Sequence, residues 1–145
     1  MVEIEEKSNL AIKIIAAVLL VLVIIGVILL GVFNKPKPHE NLPKEYFGRY
    51  DLSEITGVNG ITADSYEYNY IELKSDGYYV IANKFKKKKT EQKGVWYVEN
   101  GKVYFESSRF LGFVKTTDSG DISGNEITMT VESNSSKITL ILTKS

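Results

Sequence analysis

Lys93 to Ser107, KGVWYVENGKVYFES, carries the plainest strand–turn–strand pattern in the chain. Before Asn100-Gly101, Trp96 and Val98 alternate with Val95, Tyr97 and Glu99; after it, Val103 and Phe105 alternate with Tyr104 and Glu106. A period of two in β-branched and aromatic residues marks half-buried strands. Asn-Gly accepts the positive φ angles of a two-residue hairpin turn. The stretch is therefore read as an antiparallel pair, 93–99 and 102–107, with Trp96, Val98, Val103 and Phe105 facing the core.

On its N-terminal side, YNYIELK (68–74) and YYVIANK (78–84) flank Ser75-Asp76-Gly77 and make a second hairpin. A Lys-rich connection joins it to the first. Upstream, FGRYDLSEI (47–55) gives an opening strand with Tyr50 and Leu52 on one face, followed by a loop through Gly57 and Gly60. Downstream, 110–117 reads as a strand that Ser119-Gly120 breaks, with a short piece at 121–123 before the Gly124-Asn125 turn. ITMTVES (127–133) and KITLILTK (137–144) finish the chain, bringing Ile127, Met129, Val131, Ile138, Leu140 and Leu142 to the core with Ile71, Leu73, Tyr79 and Ile81. About seven to nine short strands joined by hairpins predict an all-β, up-and-down antiparallel meander closed into a small barrel, because closure removes exposed edges.

Ahead of this domain, Ile14 to Phe33 is an unbroken apolar run, IIAAVLLVLVIIGVILLGVF. As a helix it matches the roughly 30 Å hydrocarbon core of a bilayer. A cleaved signal peptide would need a basic start, a shorter apolar stretch and a small-residue cleavage site, whereas this chain starts MVEIEEK and continues NKPKPHENLPK. Apolar on every face, the run would need a larger protein around it to be a buried soluble helix. The expected organisation is an N-terminal tail (1–13), one transmembrane helix (14–33), a Pro/Lys juxtamembrane linker (34–45) and the barrel (46–145). Lys7 and Lys13 before the span nearly balance Lys35, Lys37 and Lys44 after it, so charge does not fix the orientation. A Tyr/Thr-rich all-β domain on a signal anchor is expected outside the cell.

The succession YIELKSDGYYV, KGVWYVENGKVYF, GNEITMTV and a last strand ending in Lys resembles the small lipocalin-like domains of bacterial lipoproteins and membrane-anchored proteins. The resemblance spans roughly residues 47–145. It implies a calycin-type barrel with the capacity to hold a small apolar ligand. Typical lipocalins carry G-x-W on the first strand; here that strand has Gly48-Arg49-Tyr50, and Gly94-Val95-Trp96 lies mid-domain.

Composition removes whole classes of chemistry. With no Cys, the chain has no thiol nucleophile, disulfide or zinc-thiolate set. His39 is the one histidine, in the Pro-rich linker, and is expected to be solvated; a His-based triad lacks its parts. Asp118, Asp121 and Glu126 do not follow the spacing of a calcium loop, and most other acids fall at turns or outward positions. Equal numbers of basic and acidic residues, 18 each, argue against nucleic acid as partner. No enzyme activity, metal or cofactor is expected. Asn134-Ser135-Ser136 fits a glycosylation acceptor, relevant only in a eukaryotic secretory pathway.

Two binding readings remain. Tyr50, Tyr79, Trp96 and Phe105 point inward, where they either line a ligand cavity for an apolar molecule or lipid, or simply fill a small interior. Lys84, Lys86, Lys87, Lys88 and Lys89, in KFKKKK, either form a solvated hairpin end that blocks edge pairing or dock a protein, a cell-wall polyanion or lipid headgroups. The abundant tyrosines, Tyr66, Tyr68, Tyr70, Tyr78, Tyr97 and Tyr104 among them, are read first as strand residues with half-buried rings. A small interior favours the surface partner.

Overall fold

In the computed structural model, which describes residues 2–33, 35–109, 114–133 and 136–145, the period-two segments form eight antiparallel strands: β1 (Gly48–Thr56), β2 (Tyr66–Leu73), β3 (Tyr78–Phe85), β4 (Lys88–Glu99), β5 (Lys102–Arg109), β6 (Val114–Ser123), β7 (Glu126–Ser133) and β8 (Ser136–Lys144). Each pairs with the next in sequence, and β8 returns to β1 to close the barrel. The founding hairpin has the expected register, with Trp96 opposite Phe105 and Val98 opposite Val103. Asn100 and Gly101 take φ of 52° and 74°, as a two-residue hairpin between right-twisted strands requires.

Three sequence readings are corrected. The Lys-rich segment is not a connection: β3 and β4 stay paired through Lys84 opposite Lys89 and Phe85 opposite Lys88, leaving only Lys86 and Lys87 in the turn. Ser119-Gly120 does not break a strand, since β6 runs through it. Gly120 is there for space, because a Cβ would lie 2.9 Å from the Thr128 carbonyl oxygen and press on the Met129 side chain. Val131, expected in the core, is 49 % exposed, while Ile122, which was not counted in the core, is buried in it. The part of the expected sixth strand at 110–113 and the Asn134-Ser135 pair lie outside the described residues.

The core joins Tyr50, Ile71, Leu73, Tyr79, Trp96, Val103, Phe105, Ile122, Ile127 and Leu142. Register puts all of them on the inner face, and β1 keeps its phase through a bulge between Leu52 and Glu54 that returns Ile55 opposite Leu140. Within the segment read as a juxtamembrane linker, 34–45, His39 and Leu42 meet the barrel. Leu42, Tyr46 and Phe47 pack against the core, and the His39 ring lies 4.5 Å from that of Tyr97. His39 is exposed yet held against a strand residue.

α1 (Val2–Phe33) forms a separate unit and begins well before the apolar run. Its segment Asn9–Leu29 is long and apolar enough to cross a membrane. Apolar side chains from Leu10 to Leu29 stand exposed on every face.

Candidate binding site at the open end of the barrel

The strands carry their side chains to two unlike ends. The hairpins Leu73 to Tyr78, Glu99 to Lys102 and Ser123 to Glu126 lie at one end, where β1 begins. A single 3-10 turn, Lys44–Tyr46, stands beside β1 there. The Lys144 ammonium donates to the Glu45 carbonyl at 2.7 Å, tying the last strand to that turn. Tyr50 donates its hydroxyl proton to the Tyr46 carbonyl at 2.8 Å, and Trp96 Nε1 donates to the Lys74 carbonyl at 3.1 Å. This end is closed.

Inside it, the four residues read as candidate ligand contacts come together. Tyr50, Tyr79, Trp96 and Phe105 are all 0 % exposed. Phe47 meets Trp96 edge to face at 5.9 Å, and Tyr79 meets Phe105 likewise at 4.9 Å. They fill the closed half with side chains, as an eight-stranded barrel of this width allows. Burial, with a smaller repulsion from Tyr46, pushes the Tyr50 hydroxyl up to about 12.

Toward the other end the inner face changes chemistry. The parity that carries Ile71, Ile81 and Trp96 inward also carries Asn69, Asn83, Thr90 and Gln92 inward. Gln92 Nε2 donates to the Tyr79 hydroxyl oxygen at 2.7 Å and, more weakly, to Ser107 Oγ at 3.4 Å. Ser107 Oγ in turn lies 2.7 Å from Thr116 Oγ1. Burial raises the Tyr79 hydroxyl above the ordinary tyrosine value; the bonds to Gln92 and Ser107 oppose this, and Asp118 adds to it. Asp118 shares the inward parity of Thr116, Gly120 and Ile122 on β6. Among the described residues the side chains of Asn69 and Asn83 make no hydrogen bond. Both are half-buried, while Thr90 and Asp118 are exposed. Among the described residues this inner face reaches solvent at Thr90, Asp118 and Val131, which makes this end the mouth.

Sequence reading missed this polar lining. A break read at Ser119-Gly120 leaves Asp118 beside a turn, and a strand begun at Lys93 leaves Gln92 outside it. Continuing the alternation backward from Trp96 would have found Gln92 and Thr90. Tyr66 and Phe85, paired across β2 and β3, put their rings 5.1 Å apart at the same end.

The lysines gather at the tip of the β3–β4 hairpin, also at the open end. Lys84 forms an ion pair with Glu67 and is mostly covered. Cross-strand neighbours Lys84 and Lys89 repel each other, and Glu67 offsets one of the two charges. Among the described residues no carboxylate lies within ion-pair distance of Lys86, Lys87, Lys88 or Lys89. Lys86 has φ of 56°, a left-handed conformation that costs an L-residue roughly 1 kcal/mol or more.

The remaining tyrosines divide by face. Tyr97 stacks on Tyr104 at 4.9 Å on the outer wall, where burial and the nearby Glu106 raise the Tyr97 hydroxyl. Arg49 sits 3.8 Å over the Tyr70 ring. These rings already have partners within the chain. Among the described residues no group of three His, Asp or Glu is arranged to hold a metal. No family model matches the chain, and no curated protein matches it in sequence.

Proposed function

We propose that this protein is a single-pass membrane-anchored barrel of the lipocalin-like, calycin type that acts without catalysis as a docking module. In this reading the barrel is displayed outside the cell and engages an anionic macromolecule through the β3–β4 hairpin. The observation that carries it is the run of four cations, Lys86 to Lys89, at the tip of the β3–β4 hairpin, none of them within ion-pair distance of a carboxylate among the described residues. Such a cluster raises the local concentration of a polyanion and speeds its association. Anchoring rests on α1: side chains apolar on all faces, with none of the Asn9–Leu29 window buried by protein, are stable only in lipid. The reading as a carrier of an apolar ligand is weakened by the closed half, where Tyr50, Tyr79, Trp96 and Phe105 occupy the interior themselves.

The test uses the full-length protein in phosphatidylcholine nanodiscs and heparin as the polyanion probe. Wild type is expected to be retained on immobilised heparin and to elute with rising salt. Replacing Lys86, Lys87, Lys88 and Lys89 with Gln is expected to abolish retention while the far-ultraviolet circular dichroism stays unchanged. Equal retention of both proteins removes the docking role. Protease added to intact cells should remove the barrel, and full protection would reverse the orientation.

A further inference from the structure

We infer that the open end of the barrel is a site for a single polyhydroxylated ring, a neutral sugar, held between the Asn69 and Asn83 amides and Gln92 on one wall and Asp118 on the other. The inference stands on the inner face and does not rest on the docking reading, although Lys88 belongs to both regions. Asn69 and Asn83 lie directly opposite each other on β2 and β3, face inward, are half-buried, and have no side-chain partner among the described residues. Planar amides held this way offer both donors and acceptors to whatever enters. An apolar guest would bury them unpaired, which is unfavourable. The Asp118 carboxylate opposes an anion, and Lys88, which shares the inward parity of Thr90 and Gln92, opposes a cation. A neutral polyol suits every wall, donating hydroxyl protons to Asp118 and accepting from the amides.

The floor and rim agree with this class. Beneath the amides the Tyr79, Gln92, Ser107 and Thr116 chain is hydrogen-bonded, so the site ends on a fixed polar surface and admits only a shallow guest. At the rim the tilted Tyr66 and Phe85 rings offer faces for the C–H side of a sugar. An eight-stranded barrel is of the width that side chains can fill or that can hold one small ligand, so a guest at this end is limited to a single ring.

The test is a titration of the full-length, nitrogen-15-labelled protein in phosphatidylcholine nanodiscs, with no sugar-based detergent present. The side-chain amide signals of Asn69, Asn83 and Gln92 are followed as D-glucose, N-acetyl-D-glucosamine, octanoate or inorganic phosphate is added. At least one sugar is expected to shift these signals saturably, with a dissociation constant of roughly millimolar order as befits a small ligand. Octanoate and phosphate are expected to leave them in place. Asn83→Ala and, separately, Asp118→Asn are each expected to weaken the sugar about tenfold with backbone signals elsewhere unchanged. Asp118 is exposed, so its variant tests the site even if the Asn83 change disturbs the strand pair. Absence of saturation by both sugars, saturation by octanoate, or unchanged affinity in the two variants overturns the inference. Phosphate shifts confined to Lys86 to Lys89, with no sugar effect, would overturn it and leave the docking reading standing. Loss of heparin retention in the Gln variants with sugar binding intact would separate the two in the other direction.

Discussion

At the closed end Tyr50, Trp96 and Phe105 have no solvent contact, while farther along the same barrel wall Asn69, Asn83 and Gln92 turn amides to the same interior. Tyr79 belongs to both regions, with its ring against Phe105 and its hydroxyl under Gln92. Alternation sets which way each side chain points in both halves equally. Only composition differs, and composition decides what each half does. Burying a large aromatic side chain contributes about 1.5–3 kcal/mol or more, whereas a hydrogen-bonded polar contact nets about 1 kcal/mol. The closed half therefore holds the fold, and the open half is free to be something other than a core.

The largest test of that division compares truncation in the two halves. Trp96→Ala is expected to cost about 3–5 kcal/mol, through a cavity and the loss of its bond to the Lys74 carbonyl. Gln92→Leu, which keeps the volume but removes the amide, is expected to change stability by no more than about 1 kcal/mol. Urea unfolding of the full-length protein in nanodiscs, followed by circular dichroism, reads both. Similar losses in the two variants would mean the open half is as structural as the closed one.

Alkaline pH separates the halves by a smaller margin. The Tyr50 hydroxyl titrates near 10 when unfolded and at about 12 when folded, so the folded state keeps its proton longer. Stability from this group is full below pH 10 and falls as pH rises toward 12, by about 2–3 kcal/mol for a two-unit shift. Tyr79, also raised, acts with the same sign. The predicted outcome is a steep fall in melting temperature across that window which Tyr50→Phe flattens, at a neutral-pH cost of about 1 kcal/mol for the lost bond to Tyr46. An unchanged slope in Tyr50→Phe would show that the closed half is not the source.

The turns repeat the contrast on a finer scale. At the closed end the positive φ angles fall on Asn100 and Gly101, residues suited to them; at the open end one falls on Lys86. A residue kept in an unfavourable conformation at an exposed tip is a sign of use. Lys86→Gly is expected to raise stability by roughly 0.5–1 kcal/mol while weakening heparin retention by one cation's share. A variant that loses stability would mean the Lys86 side chain holds the hairpin, and the argument from strain would fall.

Much of this was legible in the residues. Strand identity, the Asn100-Gly101 turn and nearly all of the core follow from period-two alternation, because the inward residues of the closed half are apolar or aromatic, while the outer face, apart from the buried Val80, Ala82 and Val95, is mostly polar or tyrosine. The mouth was hidden for the same reason: its inward positions are Asn, Thr, Gln and Asp, which composition assigns to loops. Lysines 84 to 89 masked the continuation of β3 into β4, since like charges opposite each other are unfavourable in a sheet and the Glu67 that relieves Lys84 comes from a third strand. Leu42 and His39 look like linker because nothing local holds them; the Tyr97 ring, far along the chain, meets His39, and the barrel core meets Leu42.

Val131 shows where alternation stops carrying energy. It has the parity of Ile127 and Met129 and lies opposite Ile138, so sequence reading places it in the core, yet it is 49 % exposed where Ile127 is 0 %. Facing inward buries a side chain only where the opposite wall is also apolar and close. Beyond Gln92 and Asp118 it is neither. Val131→Thr is therefore expected to change stability by less than about 0.5 kcal/mol, and Ile127→Thr by about 2 kcal/mol or more, both read by urea unfolding. A loss at Val131 approaching that at Ile127 would mean the mouth is closed in solution, and the sugar site would have no way in.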